Sequence, residues 1–168
     1  MLTLIKLNPS EFEEFKTFSI SSYRDEKMRA ESLSPEMPKI PETPKIKEET
    51  YRIAAEQFQS LLLKGLDTPE QFLFKLVDHS HKRVGYLWFC TRERAGLKSA
   101  FLYDIFIEPE WRMKGYGKKA MHLFEQEVRR LGINRIGLHV FGHNDVALQM
   151  YEKLGYRTTS RMMAKDLS

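Results

Sequence analysis

The chain has 168 residues, which fits one domain of ordinary size, and its 42% apolar content includes 11 Phe that can fill a core. A net charge of +4 comes from 27 basic and 23 acidic residues mixed along the chain, so no nucleic-acid partner is expected. No apolar run is long enough to span a membrane, no secretory leader is recognisable, and the single Cys90 excludes an intrachain disulfide. We therefore expect a cytoplasmic protein with no membrane partner.

The first half of the chain predicts one strand followed by two helices. The strand is expected over 2–7, and Asn8-Pro9-Ser10-Glu11 has the composition of a capping box that begins a helix ending near residue 31. A second helix is expected over 48–63. Between the helices, prolines recur at positions 35, 38, 41 and 44, which is the period of polyproline II. We interpret 34–46 as a stiff linker, with a docking ligand for an aromatic groove as the less favoured alternative.

The second half changes from strands alone to alternating helices and strands. Strands are expected over 71–77, 83–91 and 100–107, with short turns that favour an antiparallel meander. Beyond them the pattern predicts a helix over 115–131, a strand over 135–141, a helix over 144–154 and a last strand over 156–165. The order indicates a mixed α/β sheet with helices packed on it.

The loop before the third helix combines glycines with positive charge, and it includes Arg112, Lys114, Lys118 and Lys119. Glycines allow a tight turn and a close approach of a ligand, and the first N–H groups of a helix favour an anion. The loop therefore predicts a site for two or more phosphate oxygens. Both ends of the loop lack the residues of a Walker A motif.

A dinucleotide site is the competing interpretation of this loop. The run Gly115-x-Gly117-x-x-Ala120 matches the loose Rossmann fingerprint. However, the next strand ends without the acidic residue that binds a ribose, and an antiparallel meander precedes the loop. A Rossmann-type NAD(P) oxidoreductase is therefore the least favoured alternative.

Two segments together resemble the GNAT superfamily of N-acetyltransferases. Arg112-x-x-Gly115-x-Gly117 resembles the family's pyrophosphate loop, and the run from Asn144 through Tyr151 to Tyr156 resembles its second signature. The resemblance implies an acyl-CoA N-acyltransferase fold, with a splayed sheet of six or seven strands and about four helices. It also implies one domain over 1–168, in which 1–65 forms the acceptor side and 100–156 binds acetyl-CoA.

The resemblance implies an enzyme that moves an acetyl group from acetyl-CoA directly to a primary amine, without a metal. Asn144 is then expected to help hold the coenzyme, and the Tyr151 hydroxyl to protonate the leaving thiolate, since phenol and thiol pKa values lie within about two units. From the residues alone, Asn144 is a plain helix cap and Tyr151 a core aromatic. The residues implied to contact the coenzyme are Ile105, Phe106, Ile107, Arg112, Met113, Lys114, Gly115, Tyr116, Gly117, Lys118, Asn144 and Tyr151.

The strand over 100–107 contains one carboxylate in an apolar run, Asp104. Such a group is either paired or has a raised pKa, so it is a candidate base or an ordinary structural carboxylate. Glu108 and a water molecule are the other candidates for the base. The resemblance also implies a bulge in this strand, which frees main-chain N–H groups from Ile105 to Ile107 for the pantetheine arm and the thioester carbonyl.

The acceptor amine is not specified by any motif, and neither is the oligomeric state. A non-catalytic module that senses acetyl-CoA, or that docks a partner through the proline segment, stays open as an alternative. His79-x-His81 has no third ligand in sight, so no metal site is expected.

Overall fold

The computed structural model describes residues 1–32, 43–161 and 163, and its elements follow the predicted order up to residue 155. Short 3-10 helices at Gly65–Asp67 and Pro109–Trp111 precede β2 and α3. This order confirms the mixed α/β fold. The helices and strands are β1 (Thr3–Lys6), α1 (Pro9–Ser32), α2 (Pro44–Leu61), β2 (Gln71–Val77), β3 (Arg83–Arg94), β4 (Leu97–Ile107), α3 (Tyr116–Arg130), β5 (Ile136–Leu138) and α4 (Asp145–Lys153).

One mixed sheet runs in the order β1-β2-β3-β4-β5. The first four strands are antiparallel neighbours, which confirms the meander, and β5 lies parallel to β4. In the described part of the chain the sheet therefore has five strands, fewer than the six or seven expected. The last strand predicted over 156–165 is wrong over 156–161, because residues 157–161 are polar and exposed and offer no apolar face to bury. Residues 162, 164 and 165 lie outside the described ranges.

The second helix begins earlier than predicted. Pro44 occupies its first position, where a missing N–H costs nothing, and the Thr43 hydroxyl accepts the N–H of Ile46 at 3.3 Å. The prediction that the linker extends to residue 46 is therefore wrong for residues 44–46. Pro35, Pro38 and Pro41 lie outside the described residues.

The chain forms two compact units. The first comprises Met1–Lys16 and Leu61–His139 and contains the sheet and α3, and the second comprises Thr17–Ser60 and Val140–Ser168. The expectation of a single domain over 1–168 stays a prediction. Among the described residues, no helix is both long and apolar enough to cross a membrane.

The sheet of the first unit is covered on both faces. On one face Phe124 of α3 lies 5.0 Å from Phe89, measured between ring centroids. On the other face Phe15 of α1 contacts Tyr86 at 5.3 Å and Trp88 at 6.1 Å, both edge to face. Successive side chains of a strand point to opposite faces, so β3 contributes to both layers of the core.

The start of α1 is held to the sheet by its cap. Asn8 Oδ1 accepts the N–H of Glu11 at 3.1 Å, and Glu11 Oε2 accepts the N–H of Asn8 at 3.2 Å, so the predicted capping box is present. Glu11 also pairs with Lys75 on β2, which holds the pKa of Glu11 below its usual value. This end of α1 is thereby fixed over β2 and β3.

Candidate coenzyme site and catalytic residues

β4 and β5 separate before β4 ends. Their pairing runs from Ala100 opposite Ile136 to Leu102 opposite Leu138, whereas β4 continues to Ile107. Over residues 103–107 the described part of the chain supplies β4 with a strand partner on the β3 side only. An unpaired strand edge presents main-chain donors and acceptors to a ligand. We call this segment the open edge of β4.

A β-bulge lies where the two strands separate. Trp88 of β3 is opposite Asp104, but the next residue, Phe89, is opposite Leu102, so Tyr103 is the extra residue. The bulge that the resemblance implies is therefore present in β4. Bulges re-aim side chains and end pairing, and this one lies at the first residue of the open edge.

The directions of the main-chain N–H groups of β4 decide which of the expected contacts with a ligand are possible. The N–H of Glu108 donates to the carbonyl of Val84 at 2.9 Å, toward β3. Because main-chain groups alternate sides along a strand, Phe106 also faces β3, whereas Ile105 and Ile107 face the open edge. The donors available to a ligand are thus the N–H groups of Ile105 and Ile107, and the contact expected from Phe106 stays a prediction.

Arg112 has a structural contact of its own. Its Nε donates to the carbonyl of Ile107 at 2.8 Å, and its guanidinium lies 5.2 Å from the centroid of the Phe106 ring. Arg112 lies in the loop over 112–115 before α3, which we call the glycine loop. It therefore ties this loop to the end of β4, a role that the sequence did not indicate. Its expected contact with phosphate stays a prediction.

The glycine loop leads into α3 with an uncapped helix start. Met113 and Gly115 both have left-handed backbone angles, with φ of 57° and 78°. Gly115 is the N-cap residue, and the first helical bond runs from the N–H of Lys119 to its carbonyl at 3.2 Å. With no side-chain cap, the N–H groups of Tyr116, Gly117 and Lys118 stay available for an anion.

Positive charge is concentrated around this helix start. Lys114, Lys118 and Lys119 are exposed, and within the described ranges no carboxylate lies within ion-pair distance of them. The fold adds Lys82 from the β2–β3 turn, whose Nζ lies 5.3 Å from the centroid of the Trp111 ring. Sequence reasoning missed Lys82, because a turn some thirty residues upstream carries no signal of its proximity.

Asp104 lies directly opposite Trp88 on the same face of the sheet as Phe15. Burial raises the pKa of Asp104 to about 6, and a hydrogen bond from the N–H of Ile105 opposes part of that rise. The carboxylate is still mostly ionised at pH 7, and it accepts a proton more readily than an ordinary aspartate. These properties suit a general base.

Glu108 is held in an ion-pair network. Arg83 contacts Glu14 at 2.8 Å and Glu108 at 3.4 Å, and it also donates to the hydroxyl of Tyr86. The Glu108 carboxylate is therefore already held by a guanidinium, whereas among the described residues no salt bridge holds the partly buried Asp104. Of the two carboxylates considered from the sequence, the geometry favours Asp104.

Comparison with known proteins identifies the family of this chain. Residues 30–156 match the acetyltransferase (GNAT) family. The chain belongs to the GNAT acetyltransferase family. This membership confirms the resemblance found in the sequence and excludes the Rossmann-type oxidoreductase.

The relatives of this GNAT chain match it over nearly its whole length. It is 32% identical to the uncharacterized N-acetyltransferase YycN of Bacillus subtilis (strain 168), over 97% of this chain and 99% of the relative. The crystal structure of YycN superposes with a TM-score of 0.86 at 30% identity, covering 100% and 99% of the two chains. A Pyrococcus furiosus structure assigned as an acetyl transferase gives 0.71 at 25% identity, covering 99% and 100%.

The second GNAT signature lies in the second unit, at α4. Asn144 is the N-cap of α4, and its Oδ1 accepts the N–H of Ala147 at 3.1 Å. Tyr151 is only 7% exposed, and its ring lies 5.8 Å from that of Tyr156. Both residues thus have structural contacts in this unit. The coenzyme contact of Asn144 and the proton transfer by Tyr151 stay predictions.

A carboxylate–imidazole pair in the second unit was missed by sequence reasoning. His143 Nε2 lies 2.7 Å from Glu26 Oε2, and the His143 side chain is only 8% exposed. The pair joins α1 to the residue before the α4 cap, and 117 positions of sequence separate its members. In the described part of the chain, no group of three or more His, Cys, Asp or Glu side chains could hold a metal ion.

Proposed function

We propose that this GNAT protein transfers the acetyl group of acetyl-CoA directly to a primary amine. The observation that supports this proposal is the continuity of the open edge of β4 with the glycine loop and the uncapped start of α3. A ligand with an amide-bearing arm and a pyrophosphate matches both parts. The arm pairs with main-chain groups as an added strand does, and the pyrophosphate accepts helix N–H groups.

In the proposed reaction the main chain of β4 binds the acyl group. The N–H of Ile105 donates to the carbonyl oxygen of the thioester, where negative charge develops as the amine attacks.

Asp104 removes a proton from the acceptor ammonium, and the free amine forms the new N–C bond as the C–S bond breaks. Tyr151 then supplies the proton that the thiolate takes, and the second proton lost by the attacking nitrogen restores the tyrosine hydroxyl. No covalent enzyme intermediate is needed. The acceptor side at 1–65, the cytoplasmic location and the absence of nucleic-acid and membrane partners stay predictions alongside this proposal.

The first test is calorimetric titration of the purified protein with acetyl-CoA, with NADH as the control ligand. Gly117→Asp places a carboxylate at the start of α3 and is expected to weaken acetyl-CoA binding by more than tenfold. Gly96→Asp is the matched control, since Gly96 lies in the β3–β4 turn at the other end of β4. Folded protein that fails to bind millimolar acetyl-CoA contradicts the proposal.

Thiol release from acetyl-CoA, followed across a panel of primary amines, tests turnover. Release that depends on an amine and that falls in Asp104→Asn supports the acetyltransferase. The sensing module is supported instead if acetyl-CoA binds tightly, no amine causes thiol release, and Tyr151→Phe changes neither result.

A further inference from the structure

An arginine lies over two aromatic rings on the face of the sheet that carries Asp104. The guanidinium carbon of Arg92 is 4.2 Å from the centroid of the Phe101 ring and 5.4 Å from that of the Tyr103 ring. Its Nη2 donates to the Tyr103 hydroxyl at 2.8 Å, and the side chain also approaches the buried thiol of Cys90. These contacts hold an exposed and permanently charged group in a defined position on the first unit.

The β-bulge explains why Tyr103 and Asp104 share this face. Successive side chains of a regular strand point to opposite faces, but the extra residue of a bulge breaks that alternation. Asp104 is opposite Trp88, and the Tyr103 ring lies 4.8 Å from the Trp88 ring, measured between centroids. One face of the sheet therefore leads from the Asp104 carboxylate, past the phenol of Tyr103, to the guanidinium of Arg92.

Among the described residues, Arg92 has no carboxylate oxygen within 4.0 Å of its guanidinium. The next residue, Glu93, points to the opposite face of the strand, and Glu70 accepts the hydroxyl of Thr91 instead. A guanidinium offers several N–H donors in a planar fork that matches a carboxylate. The Tyr103 hydroxyl takes only one of them, so the fork can still bind an anion.

The place of Arg92 along the sheet indicates which molecule supplies that anion. In the proposed function the coenzyme runs from the glycine loop along the open edge of β4 and ends with its acyl carbon at the N–H of Ile105. Phe101 and Arg92 lie beyond this point, toward the β3–β4 turn. The rings of Phe101 and Tyr103 are partly exposed there and offer contact area to a ligand. A molecule bound over them is the acceptor.

The spacing of the two charged side chains sets the length of the acceptor. From Trp88, which is opposite Asp104, β3 continues to Arg92 over about 13 Å at about 3.3 Å per residue. The Arg92 side chain leans back over Phe101 and Tyr103, which shortens this separation. An α-amino acid carries its ammonium and carboxylate on one carbon and is too short to contact both. A chain as long as a tripeptide, at most about 10 Å when extended, is long enough.

We propose that the acceptor is a primary amine whose far end carries a carboxylate, and that Arg92 binds this carboxylate. The inference rests on the proposed function and adds the acceptor class to it. Asp104 receives the ammonium, the rings of Tyr103 and Phe101 contact the spacer, and Arg92 determines specificity at the other end. Short peptides and ω-amino acids share this chemistry.

Thiol release with triglycine and with triglycinamide tests the assignment, because the two acceptors differ only in the terminal carboxylate. Wild-type kcat/KM is expected to be at least about tenfold higher for triglycine, the effect of one charge-assisted contact. Arg92→Gln should bring the ratio of the two values close to one, and its binding of acetyl-CoA reports that the variant is folded. Arg94→Gln is the matched control, because it removes an equal charge further along the same strand and should keep the wild-type ratio.

Two further pairs of acceptors test the spacer. ε-Aminocaproate and its amide repeat the comparison with an apolar spacer, so the pair that shows the preference for the acid distinguishes an ω-amino acid from a peptide. A preference that depends on Arg92 in either pair supports the inference. Glycine and glycinamide are too short, and their ratio should be the same in the wild-type protein and in Arg92→Gln.

The remaining outcomes reject the inference. Equal kcat/KM for acid and amide in both longer pairs overturns it, and so does a preference that survives in Arg92→Gln or falls equally in Arg94→Gln. A preference for glycine that depends on Arg92 contradicts the spacing. Thiol release with other amines but with neither longer acid rejects the acceptor class and leaves the proposed function standing. Folded protein that binds no acetyl-CoA rejects the proposed function as well.

Discussion

At Gly85, β3 and β4 lie too close together for a side chain to fit between them. A Cβ built there would lie 1.9 Å from the carbonyl oxygen of Phe106 and 3.2 Å from the Cα of Ile107. Both neighbours are main chain, so Gly85→Ala can be accommodated only if β4 moves by more than 1 Å. Overpacking of this kind typically costs about 1–3 kcal/mol, and contact with the main chain places Gly85→Ala at the upper end.

For a chain of this size, 1 kcal/mol shifts the melting temperature by about 2–4 °C, so Gly85→Ala is expected to lower Tm by roughly 6–12 °C. Gly137→Ala is the control, since its Cβ would meet only the edge of the Phe101 ring at 3.4 Å, and a ring can turn aside. Differential scanning calorimetry of both variants makes the comparison. A Tm of Gly85→Ala within 2 °C of wild type, or equal losses in the two variants, refutes the close β3–β4 approach.

Asp104→Asn should lower kcat by about 10²-fold or more, because it removes the proposed base. The same variant should be more stable than wild type at pH 8 by up to about 3 kcal/mol. Burial raises the pKa of Asp104 to about 6, so the ionised carboxylate disfavours the folded state above that pH. Wild-type activity should fall as pH drops through about 6. His143→Ala should cost about 1–3 kcal/mol in urea unfolding by leaving Glu26 without its buried partner, whereas Glu26→Gln keeps the hydrogen bond. Met113→Gly should raise stability by about 1 kcal/mol, because Met113 has a φ of 57°.

The Asp104 argument fails if Asp104→Asn is inactive and also less stable at pH 8, since that result indicates a structural carboxylate. Equal losses in His143→Ala and Glu26→Gln would show that the hydrogen bond is not what holds His143. A lower Tm in Met113→Gly would mean that the side chain, although 91% exposed, stabilises the loop by more than its backbone strain costs.

Local signals in the sequence predicted the elements whose causes are themselves local. The capping box at Asn8 and Glu11 acts over three residues, and the same holds for the cap at Asn144. The glycine loop and α3 followed from spacing and charge within one short segment. The prediction of a last strand was wrong because residues 157–161 alternate too little to build an apolar face. The predicted start of α2 was too late because Pro44 was assigned to the linker.

The order of the elements up to residue 155, the glycine loop and the family were therefore determined by the sequence alone, since each depends on residues close together in the chain. Only the tertiary structure decided where β4 loses its partner after Leu102, which main-chain donors face that opening, and that Lys82 joins the loop. It alone paired His143 with Glu26 and gave Asp104 its raised pKa. These features depend on contacts between distant segments, which strand pairing and burial create and which residue spacing does not encode.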